Sequence, residues 1–109
     1  MVTGRYVDPA AGRVTFRQYA ESWRATAVHR PATRDRTETL LRLRVYPVLG
    51  DRPIGGIRAS SVQSLVSTAA GTLAPSTLRM AYSVVTAVFS AAVRDRVIPS
   101  SPCEGVLLP

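Results

Sequence analysis

Lysine is absent from this chain of 109 residues, and cysteine, histidine and tryptophan occur once each. A single cysteine, Cys103, excludes a disulfide framework. With His29 as the lone histidine and no second ligand-type residue at metal spacing, neither residue points to a metal centre, and no metal or cofactor is expected. The start Met1-Val2-Thr3-Gly4-Arg5-Tyr6 has no apolar leader before a small-residue cleavage site, so a cytoplasmic location is expected. Long apolar runs are also missing. The stretch from Ala81 to Val93 is broken by Ser83, Thr86 and Ser90, short of the roughly 18 uninterrupted residues of a membrane span, and no membrane partner is expected. Gly55-Gly56 is followed by Ile57-Arg58 rather than Lys-Ser/Thr, which excludes a phosphate-binding loop of the nucleotide type.

What is present is arginine, fourteen against seven acids, for a net charge of +7. Complete exclusion of lysine has two readings: a coding bias of a GC-rich genome, or use of a rigid guanidinium fork suited to phosphate. The distribution says more than the total. Residues 1–58 hold eleven arginines and five acids, whereas residues 59–109 hold three and two. A charge this lopsided favours a polyanion, and nucleic acid fits better than lipid because no helix is both strongly basic and apolar on one face.

With 46% apolar residues, the chain can bury the core of one compact domain. Residues 1–14 contain Gly4, Pro9 and Gly12 without a sustained period and read as a flexible or hairpin-like leading segment. Thr15 is placed as the N-cap of a first helix whose stripe is Phe16, Tyr19, Ala20 and Trp23, ending at His29-Arg30-Pro31. A second helix is predicted over Thr33 to Val45, with Thr37, Leu40, Leu41 and Arg44 on one arc. Pro47 should stop it, leaving Val48 to Pro53 as a turn whose apolar members plug the core. A third runs from Ala59 to Ala70, with Val62, Leu65, Val66 and Ala69 inward and Gly71 as its stop. The fourth opens at Pro75 and carries the stripe Leu78, Tyr82, Val85, Phe89, Ala92 and Val93. Its opposite arc holds Arg79, Ser83, Thr86, Ser90 and Arg94, and Pro99 and Pro102 forbid continuation. No segment alternates with period two for long enough to make a sheet, so the expected fold is all-α, a small bundle of four helices.

Catalysis finds little purchase in these residues. Asp35 and Glu38 share a helix face but alternate with Arg34, Arg36 and Arg42, the pattern of solvated ion pairs rather than of an acid and base. Tyr19 and Tyr82 fall on apolar stripes, Tyr46 precedes Pro47, and Tyr6 lies in the leading segment. Hydroxyls and guanidiniums instead gather at two helix starts, Arg30-Pro31-Ala32-Thr33-Arg34 and Ala74-Pro75-Ser76-Thr77-Leu78-Arg79. Either start can be read as simple capping or, through its free N–H groups and dipole, as a phosphate-positioning end.

An ordered set of short motifs extends from Val14 to Pro109: Val14-Thr15-Phe16 with Tyr19-Ala20 and Trp23; Pro31-Ala32-Thr33-Arg34; Tyr46-Pro47-Val48-Leu49-Gly50-Asp51-Arg52-Pro53-Ile54; Leu73-Ala74-Pro75-Ser76-Thr77-Leu78-Arg79; and Val88-Phe89 through Ala92-Val93-Arg94-Asp95-Arg96-Val97-Ile98 to Pro102. This set resembles the core-binding domain of tyrosine recombinases of the phage-integrase type. Tyr6-Val7-Asp8-Pro9 with Gly12-Arg13 resembles the segment that leaves an upstream arm-type DNA-binding domain. The resemblance implies a SAM-like orthogonal bundle at 15–98, a linker at 1–14, and an exit strap at 99–109 leading to a catalytic domain beyond Pro109. It implies double-stranded DNA of a core-type attachment site as partner, a monomeric isolated domain, and a parent that is tetrameric on DNA. Cleavage in that parent would belong to the other domain, so no catalytic residue is expected in this chain. Carried over by position, the DNA-binding candidates are Thr33, Arg34, Asp35, Glu38 and Arg42 with Ser76, Thr77, Arg79 and Ser83, with Arg79 and Arg34 foremost. Two departures touch caps and turns: Arg58 stands where the family usually has Thr, and Ser101-Pro102 replaces the common Asn-Pro. A helix-turn-helix regulator and a SAM-like protein-interaction module are the competing readings. The first is strained by the distance from Gly71 to Thr77, and the second by arginine-rich exposed arcs.

Overall fold

In the computed structural model, which describes residues 7–109, the architecture is all-α, as expected; Gly4 and Tyr6 of the leading segment lie outside the described residues. The helices are α1 (Phe16–Thr26), α2 (Pro31–Leu40), α3 (Ala59–Ala70) and α4 (Pro75–Arg94). α1 begins where its chemistry dictates. The Thr15 hydroxyl accepts from the Gln18 N–H at 3.1 Å while the Gln18 side chain accepts from the Thr15 N–H at 2.9 Å, a reciprocal capping box. The helix ends at Thr26, earlier than the proline at position 31 requires, and Pro31 instead serves as the first residue of α2.

Pro47 does not stop the second helix. α2 passes without a break into a π-wound segment, Leu41–Gly50, that contains Pro47. In an α-helix a proline ring meets the carbonyl four residues back. The wider π turn shifts the bonding to five residues back and relieves that clash. The wider winding also turns Leu41, Val45, Tyr46 and Leu49 into the core while leaving Arg44 and Val48 exposed, so only Leu49 of the expected plug is buried.

The bundle closes around Phe16. Its ring lies 5.2 Å from that of Phe89 on α4 and 6.1 Å from that of Tyr46, and around it pack Ala20, Leu41, Val45, Ile54, Val62 and Val88. Eight residues of α4 are buried, including Ala81, Val84, Val88 and Ala91 outside the expected stripe. By length and composition α4 is apolar enough to cross a membrane, with a mean hydropathy of 1.3, although its run is interrupted by hydroxyls. In this fold the eight buried residues of α4 form the middle of the bundle.

Residues Pro9–Arg13 form a 3₁₀ turn rather than a loose lead-in. The turn is held by the Ile54 N–H donating to the Val14 carbonyl at 2.8 Å and by backbone laid directly on backbone at Gly12 and Gly55. At the other end, Arg96 adopts φ 59°, and the Arg96 and Val97 N–H groups donate to the Val93 and Ala92 carbonyls at 3.1 and 2.9 Å. That is a Schellman motif with arginine where glycine is usual, and it ends α4 before Pro99 is reached. Gly71, expected to stop α3 in that way, has an ordinary right-handed φ of −75°. The strap that follows is fastened down. The Gln63 side chain donates to the Leu107 carbonyl at 3.0 Å and accepts from its N–H at 2.9 Å, the Tyr82 hydroxyl donates to the Cys103 carbonyl at 3.1 Å, and Cys103 is buried.

Two substitutions test these ends. A Cβ at Gly55 would stand 3.1 Å from the Gly12 Cα and 3.2 Å from its carbonyl oxygen, so Gly55→Ala should cost about 1–3 kcal/mol in denaturant unfolding. Arg96→Gly should instead stabilise the fold by about 1 kcal/mol, because glycine adopts the left-handed conformation without the Cβ penalty.

Candidate nucleic-acid interface

Both helix starts singled out by sequence share one construction. α2 has Arg30 at its N-cap and Pro31 first; α4 has Ala74 at its N-cap and Pro75 first; neither has a side-chain cap or an acid in its first turn. Thr33, Ser76 and Thr77 are therefore not capping groups. The helix-end N–H groups are left to solvent or to a ligand, where the macrodipole favours an anion.

Between α2 and α4 runs an open groove of about 470 Å³. One wall is Ala32, Thr33, Arg36 and Thr37; the other is Met80, Ser83, Val84 and Ala87. Trp23 and His29 close the end near α1, their rings 5.8 Å apart and edge to face. No carboxylate lines this groove. The Ser83 hydroxyl donates to the Met80 carbonyl at 2.9 Å, which leaves its oxygen free to accept.

The structure splits the expected site set. Thr33 and Ser83 line opposite walls of the groove, whereas Arg34, Asp35 and Glu38 line a separate depression on the other side of α2 with Arg24 and Thr39. Arg42 pairs with Glu38, its Nε 2.9 Å from the carboxylate, and both face Arg17, Glu21 and Tyr46. Ser76 and Arg79 are exposed on the first turns of α4 outside the groove lining, and Thr77 is half-buried. Arg24 of α1 lies beside the start of α2. The residues that sequence reasoning missed are Arg36, Met80, His29 and Trp23. Arg36 was within reach, one turn beyond Thr33, and Met80 follows Ser76 at i+4; the contributions of His29 and Trp23 depend on the turn between α1 and α2.

Glu21, Asp51 and Asp95 are engaged elsewhere, whereas Asp35 has no ion-pair partner among the described residues. Arg17 pairs with Asp51 and lies 5.1 Å above the Tyr46 ring, and the Tyr46 hydroxyl donates to Glu21 at 2.6 Å. Glu21 in turn takes two bonds from Arg24, at 2.7 and 3.1 Å. On the α1–α4 side the Tyr19 hydroxyl donates to Asp95 at 2.5 Å. Burial, followed by the neighbouring carboxylate, pushes both phenols well above their ordinary range. The Arg24 hydrogen bond, reinforced by Tyr46, holds the Glu21 carboxyl below the usual carboxylate range. Among the described residues Arg36, Arg34, Arg30 and Arg79 have no carboxylate within ion-pair distance. No group of three or more His, Cys, Asp or Glu that could hold a metal occurs among them either.

Residues 16–106 match the phage integrase central domain family. The chain belongs to that family. It is 34% identical over 95 residues to the integrase of Mycobacterium phage FRAT1 and, over the same length, to that of Mycobacterium phage D29; these alignments cover 87% of the chain but only 28% and 25% of those integrases. The chain thus spans about a quarter of the length of the curated relatives it matches. The fold is similar to the solution NMR structure of a phage integrase SAM-like domain from Moorella thermoacetica, with a TM-score of 0.74 at 27% identity, covering 95% of this chain and 91% of that one. This integrase central domain is therefore SAM-like and all-α.

The Glu21 linkage predicts the acid limb of stability. A carboxyl whose native pKa lies below the ordinary Glu value of about 4.3 stabilises the fold above that value, and the contribution is lost as pH falls through the lower native pKa. Glu21→Gln should lower stability at neutral pH and flatten its fall across the acid range, as read by denaturant midpoints at a series of pH values.

Proposed function

We propose that this integrase central domain holds duplex DNA of a recombination core site against the α2–α4 face, within a parent integrase whose strand cleavage is carried out by another domain. The observation that carries the reading is the carboxylate-free groove that takes in the uncapped start of α2 and the second to fourth turns of α4, whose own uncapped start lies just beyond Met80. Free N–H groups and unpaired guanidiniums position phosphates, and side chains projecting from helix faces read base edges. Arg36, Arg30 and Arg79 serve the phosphates along this face, with Arg34 reaching backbone that passes the opposite side of α2; Thr33, Ser76 and Ser83 supply hydroxyls, and half-buried Thr77 supports the start of α4. Asp35, Glu38 and Arg42 take a supporting part: Glu38 fixes the Arg42 guanidinium, and Asp35 borders the depression next to Arg34. In this reading residues 99–109 form the connection toward the catalytic domain, residues 1–14 the connection from an arm-type domain, and the intact enzyme is a tetramer on DNA inside the cell.

Titration of duplex DNA across a salt series tests the proposal. With about five phosphates neutralised, log K should fall against log salt with a slope of about −4 to −5. Arg36→Ala and Arg79→Ala should each reduce that slope by about 1. Arg94→Ala, at the far end of a helix about 30 Å long, should leave it unchanged. A salt-independent response, or equal effects of all three variants, overturns the assignment.

A further inference from the structure

We propose that Met80 reads the C5-methyl group of a thymine in the bound duplex. The inference rests on the DNA-holding role proposed above and adds a specificity determinant to it.

Met80 is 38% exposed, the large apolar side chain that stands free on the groove walls, among small residues, hydroxyls and Arg36, while half-buried Trp23 and His29 close one end. The other exposed large apolar residues, Val28, Leu43, Val48, Leu107 and Leu108, are absent from the lining of this groove. Val84 beneath it is buried, and Ala32 and Ala87 are too short to fill the space. The Ser83 hydroxyl is tied to the Met80 carbonyl, which leaves an accepting oxygen one turn from the thioether.

The choice of occupant follows from chemistry. Arg36 and His29 with no carboxylate fit a polyanion, and along the major groove of duplex DNA the thymine methyl is the one apolar feature. A thioether makes no strong hydrogen bond, so it discriminates between base pairs through apolar contact alone, and its flexible, polarisable chain suits a methyl presented at an irregular surface. Arg79, the preceding residue on α4, is exposed and without an ion-pair partner among the described residues, placing a phosphate-seeking group beside the apolar one.

The experiment selects a consensus from a randomised duplex pool with the wild-type chain, then replaces each thymine singly with deoxyuridine, which removes the methyl and preserves the hydrogen-bonding edge. At one position the replacement should weaken wild-type binding about three- to fivefold, the value of one buried methyl. Met80→Gln should bind the thymine and uracil duplexes equally while holding the uracil duplex within about twofold of wild type, and Met80→Leu should keep the discrimination. The proposal is overturned if selection yields no consensus, if no position responds in the wild type, or if the Met80→Gln variant still discriminates. Binding to no duplex at all overturns the DNA-holding role itself, whereas salt-sensitive binding without a methyl response overturns only the reading of Met80.

Discussion

The ring of Phe16 is the point on which this small bundle depends. It is wholly buried and stands between Phe89 of α4 and Tyr46 of the π-wound segment, so one side chain joins three elements far apart in sequence. The Thr15–Gln18 capping box and the bond from the Phe16 N–H to the Arg52 carbonyl at 2.9 Å fix where that ring enters. Truncating a buried phenylalanine costs about 3–5 kcal/mol, a large share of the roughly 5–15 kcal/mol that keeps an ordinary domain folded. The relative placement of α2 and α4 depends on this contact, and with it the groove between them.

Charge is segregated by the same packing. Glu21 and Asp51 are drawn into contacts with Arg24, Tyr46 and Arg17 on the α1 side, Asp95 accepts from Tyr19, and Glu38 engages Arg42. Exposed pairs of this kind add little to stability. Their larger consequence is electrostatic: the groove between α2 and α4 keeps Arg36 and His29 with no carboxylate in its lining.

Much of the fold is legible in the sequence. The stripes of α1, α3 and α4 follow helical period, and the helices form where those stripes lie, because burying one apolar face is a local pattern with a global payoff. Pro47 misled, since proline's steric rule assumes α-winding and the segment relieves it by widening its turns. Gly71 misled as well: the left-handed stop falls on Arg96, a residue type that gives no signal for it. The candidate site residues are divided by the fold. Thr33 and Ser83 line opposite walls of one groove, but Arg34, Asp35, Glu38 and Arg42 turn to other faces because a helix surrounded on several sides offers more than one surface.

By itself the sequence determined the all-α class, the order of the helices, the excess of arginine and the family, since periodicity, caps, composition and ordered motifs are properties of neighbouring residues. Only the tertiary structure decided which arginines keep their charge free, that Met80 and Trp23 belong to the groove, and that Gln63 clasps the strap at Leu107. The physical reason is distance along the chain. Trp23 and Met80, or Gln63 and Leu107, become neighbours only when the core around Phe16 closes, and no local pattern records which partners that closure brings together.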